Sequence, residues 1–358
     1  MSSRTEPTRN QVIKLDYTPH TGQTLFHKSK ARFRICCVPP NTIIPGDYKR
    51  ALDIDVGDRV IGHDGNLQNV LNKYIVEDAH ELIKIKARYA LPLSVTGEHP
   101  IWVTRVIRND NYYAYKNGRR GKKTEWRIKE GSWVESRNID YYIKKQNKYE
   151  KYCLLIPYLK PSIDVIGWGL KRHRSKYKQT NFPLNIDTVW ACGMYIAEGN
   201  ANNSILYTLG LDEYDYAVRL YNIFKGIGYN PKITFHEKCI RVSVCSIALA
   251  ELFREKFGTY AENKRIPDDL LLHENNDLCR SLIRGYMDGD GCFEPSKRRL
   301  TAKTNSEILA SQMQLLIARF RVFTCLYTIN RDENESEFKS RFNAYCISIT
   351  NRKFMKYL

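Results

Sequence analysis

A nine-residue pattern of small and acidic residues recurs in this chain, and that duplication constrains the fold more than any other feature. Ala191-Cys192-Gly193-Met194-Tyr195-Ile196-Ala197-Glu198-Gly199 aligns with Ile283-Arg284-Gly285-Tyr286-Met287-Asp288-Gly289-Asp290-Gly291 at a single offset, since 285 − 193, 290 − 198 and 291 − 199 all equal 92. The residues that follow match in outline. Helices are predicted from Tyr214 to Lys225 and from Asn305 to Arg319. Strand pairs come next, Lys232-Ile233-Thr234 with Ile240–Val244 in one copy and Cys325–Ile329 with Tyr345–Ile349 in the other. The first copy then enters a helix from Ser246 to Phe257, and the second begins its own before Leu358. Repeated supersecondary units bury their apolar faces against one another. An α+β domain of two pseudo-symmetric halves is therefore expected, at about 187–262 and 279–358 within 161–358.

Each copy opens with a helix that ends in an acid followed by glycine. Gly199 and Gly291 are expected to take the left-handed conformation just past a helix C-terminus. Small residues recur four apart, Gly193 with Ala197 and Gly285 with Gly289, which leaves one helix face nearly bare and lets two backbones touch. Packed side by side, the helices deliver Glu198 and Asp290 together at one end, where the helix dipoles and their mutual repulsion disfavour both charges. A divalent cation such as Mg²⁺ removes that conflict, because it takes carboxylate oxygens, keeps several waters and reaches phosphate oxygens. It can there assist phosphodiester hydrolysis. The bland alternative is two core helices whose terminal acids are merely solvated.

Charge decides between them. With 57 Lys and Arg against 39 Asp and Glu, the net charge of +18 favours a polyanionic partner, and 24 tyrosines lie among the charges. No apolar run long enough for a membrane span occurs, and the N-terminus lacks the apolar core of a secretory signal. Ten cysteines without Cys-x-x-Cys pairing suit reduced thiols and a cytoplasmic location, in a phage-infected or prokaryotic cell.

The paired acidic helices resemble those of the LAGLIDADG homing endonucleases. That resemblance implies two αββαββα-type repeats and site-specific, Mg²⁺-dependent double-strand cleavage of DNA by a monomer with an internal pseudo-dimer, with Glu198 and Asp290 as the metal-binding catalytic acids. Asn263-Lys264-Arg265-Ile266-Pro267 resembles the block between the family's repeats, which makes Lys264 the lysine beside the scissile phosphate. The strands after each helix would form a saddle on double-stranded DNA, with Lys232, Arg241, Arg299 and Lys303 meeting phosphates and base edges. A non-cutting nucleic-acid binder, a relic or a maturase-like protein, is the alternative.

Upstream, short strand-like runs alternate with turn signals: Thr42-Ile43-Ile44, Pro45-Gly46-Asp47, Arg59-Val60-Ile61, His63-Asp64-Gly65-Asn66, Ile83-Lys84-Ile85, Ser94-Val95-Thr96 and Ile101-Trp102-Val103. Such spacing predicts an all-β domain. Residues 105–151 carry 14 Lys and Arg against 6 Asp and Glu, with Trp126 and Trp133 interleaved, and read equally well as a DNA-contacting insertion or a solvated loop. Cys37–Ile44, Leu52–Val60 and Val95-Thr96-Gly97-Glu98-His99-Pro100 resemble the first blocks of an intein (Hint) domain, which implies a horseshoe-like all-β fold over about 37–160. By that likeness Cys37 attacks the Cys36 carbonyl, His99 protonates the leaving nitrogen and Thr96 orients the peptide, a thioester chemistry those residue types can support. Residues 11–36, with Tyr17-Thr18-Pro19-His20-Thr21-Gly22-Gln23, resemble the start of phage terminase large subunits, so 1–36 would be a host segment in which Gln23 reads adenine. The closing His-Asn pair of inteins does not occur before Leu358, and the second repeat's counterpart of Lys264 would lie beyond it. The sequence therefore predicts a truncated frame, or a C-terminal intein piece supplied in trans.

Overall fold

The structure is a computed structural model, and it describes residues 38–62, 64–73, 75, 82–87, 90–114, 120–154, 158–171, 180–329 and 343–355. Cys36, Cys37 and the terminase-like segment at 1–36 lie outside the described residues.

The first part is β-rich. Antiparallel pairs form between β1 (Ile43–Ile44) and β2 (Lys49–Arg50), between β3 (Arg59–Ile61) and β4 (Leu67–Asn69), and between β5 (Leu82–Ile85) and β6 (Leu93–Thr96). A three-stranded sheet follows, in which β7 (Pro100–Ala114) lies between β8 (Arg120–Glu135) and β9 (Glu150–Leu154). An all-β domain is the expectation for this part, and the structure differs from it in two ways. The strands form separate small sheets, and the basic insertion contains a helix, α1 (Ile139–Lys145). Ile139 buries against Ile85 and Val95, and that packing suffices to hold so short a helix.

After a small pair, β10 (Gly167–Gly169) with β11 (Asn181–Pro183), come the two repeats. In the first, α2 (Ile186–Glu198) leads into β12 (Gly199–Ala201) and β13 (Ile205–Leu209), then α3 (Tyr214–Gly226), β14 (Lys232–Phe235), β15 (Ile240–Val244) and α4 (Ile247–Phe257). A short α5 (Asp268–Leu271) links to the second. There α6 (Asn276–Asp290), β16 (Gly291–Glu294), β17 (Arg299–Thr304), α7 (Glu307–Ala318), β18 (Cys325–Ile329), β19 (Ala344–Ile349) and α8 (Arg352–Met355) repeat the order. Both sheets share one connectivity: β12-β13-β15-β14 and β16-β17-β19-β18. The predicted duplication is thus a duplication of topology.

The alternation of each strand explains which face it buries. Tyr207, Val242 and Ile233 stand opposite one another and point inward, whereas the neighbouring rung Thr208, Arg241 and Thr234 is exposed. Helix α2 is buried from Thr188 to Ile196, so it is a central helix and not an amphipathic cover. It starts on a capping box in which Asn185 and Thr188 satisfy each other's backbone N–H groups.

The two parts share one core. Tyr48 buries in the same apolar cluster as Trp168, Phe182 and Trp190. Beside it the Arg59 guanidinium pairs with Asp47 at 2.7 Å and with Asp268, at the start of α5, at 2.5 Å.

Candidate active site at the paired helix ends

Helices α2 and α6 meet backbone to backbone. A Cβ placed on Gly193 would stand 2.3 Å from the Leu282 carbonyl oxygen, and one on Gly285 would stand 2.1 Å from that of Trp190. One turn on, a Cβ on Gly289 would meet the Ala197 Cβ at 2.6 Å and the Glu198 Cγ at 3.3 Å. The small-residue stripe is therefore a steric requirement. The contact is braced at its flanks, where Trp190 Nε1 donates to Asp288 at 2.8 Å and Ser281 Oγ donates to the Ile186 carbonyl at 2.5 Å.

Gly199 and Gly291 correct the expected left-handed caps. Their φ angles are −97° and −80°, both extended. Each passes from helix directly into a strand, and the reason for glycine is room: an added Cβ would lie 2.6 Å from the Tyr195 carbonyl oxygen in one case and 2.1 Å from that of Met287 in the other.

This geometry brings Glu198, Asp290 and Lys264 together. Burial raises the Asp290 carboxyl to about 7; the Glu198 charge adds to the rise, while Lys264 and the Tyr286 hydroxyl oppose it. Glu198 is also raised, first by burial and then by Glu213. Lys264 is buried, and its desolvation lowers it to about 7 against the pull of Asp290. Its ammonium donates to the Tyr195 carbonyl at 2.8 Å and to the Gly199 carbonyl at 2.7 Å, and it lies 3.5 Å from the centroid of the Tyr195 ring. Lys264 thus caps the C-terminal end of α2, where a cation is favoured.

The second repeat holds that lysine in place. Ser306 Oγ donates to the Lys264 carbonyl at 2.7 Å, and the buried Gln312 amide bonds the Ile266 N–H and carbonyl at 2.7 and 2.8 Å. Sequence reasoning missed Ser306, Gln312 and Tyr195. Ser306, an N-cap before an apolar run, had a readable signal; Gln312, a buried polar residue within a helix, had none.

Two carboxylates suit a cation that takes its remaining ligands from water and phosphate. Among the described residues no group of three or more His, Cys, Asp or Glu is arranged to hold a metal.

Lys232, Arg241 and Lys303 are exposed on the outer faces of the two sheets. Arg299 differs, since it pairs with Glu294 at 2.7 Å across β16 and β17.

Thr96 and His99 lie apart from this site, in one turn between β6 and β7, where the His99 N–H donates to the Thr96 carbonyl at 3.1 Å. The chain beyond β8 clamps that turn. Ser136 Oγ donates to the Thr96 carbonyl and Ser136 N–H to the His99 carbonyl, while Arg137 bonds Gly97 and Glu98. The Thr96 hydroxyl is buried and has no hydrogen-bond partner among the described residues.

Residues 277–356 match the family model described as a LAGLIDADG-like domain. Among curated proteins, the ATP-dependent DNA helicase Hel308 of Thermococcus kodakarensis is 27% identical over 90% of this chain and 30% of its own length. The iron-sulfur cluster assembly SufBD family protein Rv1461 of Mycobacterium tuberculosis is 26% identical over 79% of this chain and 32% of its own. The DNA-directed RNA polymerase subunit Rpo1C of Methanocaldococcus jannaschii is 27% identical over 68% and 27%. The chain thus spans about a third of the length of these relatives. Among solved structures, the homing endonuclease I-DmoI in complex with DNA and Mn covers 48% of this chain and 95% of its own at 13% identity, with a TM-score of 0.37. Among the described residues no helix is long and apolar enough to cross a membrane.

Proposed function

We propose that residues 186–355 form a Mg²⁺-dependent DNA endonuclease of the LAGLIDADG homing type, in which Glu198 and Asp290 hold the cation. The observation that carries this reading is the packing of α2 on α6 through Gly193 and Gly285, which brings two raised carboxyls and a lysine to one spot. A bound cation would lower the pKa of an attacking water and stabilise a leaving oxygen. The chain's own residues set the charge there. Asp290 and Lys264 both titrate near 7, so a cation draws Asp290 to its carboxylate, and a nearby phosphate draws Lys264 to its ammonium. Arg241, Lys232 and Lys303, exposed on the two sheets, suit a duplex phosphate backbone.

The β-rich part is proposed as an intein-type autoprocessing segment, with Cys37 as nucleophile, His99 as acid and Thr96 as orienting donor. The clamped turn and the unpaired buried Thr96 hydroxyl support it, because a buried hydroxyl is normally hydrogen-bonded. So does the pattern of relatives. A helicase, an iron-sulfur assembly protein and an RNA polymerase subunit share no activity by name, yet each matches this chain over about a third of its length. An element inserted into unrelated host genes produces that pattern. The terminase-like host segment at 1–36 belongs to the same proposal.

Lys264 favours a second reading, a DNA binder that does not cut, because its ammonium already serves two carbonyls. A library of randomised duplexes incubated with the full chain and Mg²⁺ separates the two. The nuclease reading expects discrete cut or nicked ends from the natural chain and none from Asp290→Asn, with binding retained. Equal ends from both proteins, or binding without any ends, would refute it.

A further inference from the structure

The basic insertion folds as something more specific than a loop. β9 pairs with β7 only as far as Ile107, opposite Glu150. The Arg108 N–H still bonds the Tyr149 carbonyl at 2.7 Å, and beyond it β7 and β8 continue alone for six rungs, from Asn109 opposite Glu125 to Ala114 opposite Arg120. At about 3.4 Å per residue the free ribbon is roughly 20 Å long. A two-stranded ribbon is marginal in water without a third strand or a helix against it. The described strand residues 108–114 and 120–127 carry five Lys and Arg against two Asp and Glu. Both acids are used within the ribbon: Asp110 accepts from Arg108, Lys122 and Thr124, and Glu125 pairs with Lys123 at 2.7 Å. These internal bonds stiffen the arm and leave a net positive charge, with Lys122, Lys123, Trp126 and Arg127 all exposed.

We infer that this free ribbon is a second DNA-binding element, which enters the major groove of the duplex that the two-repeat domain acts on. The major groove admits a two-stranded β-ribbon, and the excess of cations over the two acids suits phosphates on either wall. The inference rests on the reading of the chain as a DNA-acting protein, and it adds a contact surface outside the repeats.

The test is the salt dependence of duplex DNA binding by the full chain. In a variant carrying Lys122→Gln, Lys123→Gln and Arg127→Gln, the slope of log K against log salt should become shallower by about 2 to 3, at roughly 0.9 per lost phosphate contact. Affinity near physiological salt should fall by about tenfold or more. A control with Lys144→Gln and Lys148→Gln, on and just after α1, should change the slope by less than about 0.5. An unchanged slope in the ribbon variant would overturn the inference, as would an equal change in the control. Duplex RNA bound more tightly than DNA, through the same three residues, would also overturn it. Because the readout is binding, failure of the nuclease reading in the cleavage assay leaves this result standing.

Discussion

Gly193 and Gly285 face each other across the α2–α6 contact so closely that a Cβ on Gly285 would lie 3.1 Å from the Gly193 Cα and 2.1 Å from the Trp190 carbonyl oxygen. Backbone cannot yield to that overlap as a flexible side chain can, so the helices must separate. Gly285→Ala is expected to cost about 3 kcal/mol, a fall of roughly 10 °C in melting temperature for a domain of this size. Because separation also moves Glu198 from Asp290, the variant should lose any nuclease activity while still partly folded. Calorimetry checks the first expectation. A melting temperature within about 2 °C of the natural chain would mean that the helices do not touch here.

The buried charges make stability depend on pH and on cations. Asp290 is raised from 3.8 to about 7, so without a cation the folded chain holds its proton where the unfolded chain has released it. Stability from this group is complete below pH 3.8 and is lost as pH rises through 7. Lys264, lowered from 10.5 to about 7, acts in the opposite sense: its contribution grows as pH rises from 7 to 10.5. Asp290→Asn should therefore raise the melting temperature at pH 8 and leave it nearly unchanged at pH 4. Added Mg²⁺ should stabilise the natural chain at pH 8 and not the variant. Thermal melts across pH give the answer, and a variant less stable than the natural chain at pH 8 would contradict the assignment.

The autoprocessing proposal predicts a covalent event. A thiol such as dithiothreitol should release residues 1–36 from the full chain, and Cys37→Ala should abolish that release. His99→Ala should slow it by about 10²- to 10⁴-fold, the usual worth of a positioned general acid. Mass spectrometry of the released peptide reads all three. Release from the alanine variant at Cys37 would exclude thioester formation there.

The duplication was readable because it repeats small residues and acids at one offset, and the same residues turn out to build the helix contact. The strands of each repeat were readable for the same kind of reason, since Ile240–Val244 alternates inward and outward along its length. The misread caps have a different origin. Glycine after a helix suggests a left-handed turn, but Gly199 and Gly291 are extended and are glycine because the preceding turn leaves no room. The hold on Lys264 by Ser306 and Gln312 joins residues more than 40 apart, which no local pattern reports. The ribbon's extent was likewise hidden: its charge was visible, but where β9 stops is a property of the sheet.

The proposed active site requires that Glu198 and Asp290 form one cation site. Mn²⁺ binding, followed by electron paramagnetic resonance in the presence of duplex DNA, tests it without knowledge of the cut sequence. Saturable binding is expected of the natural chain, and its loss in both Glu198→Gln and Asp290→Asn. Unchanged binding by either variant would show that the two acids do not share a metal, and the proposed active site would then be wrong.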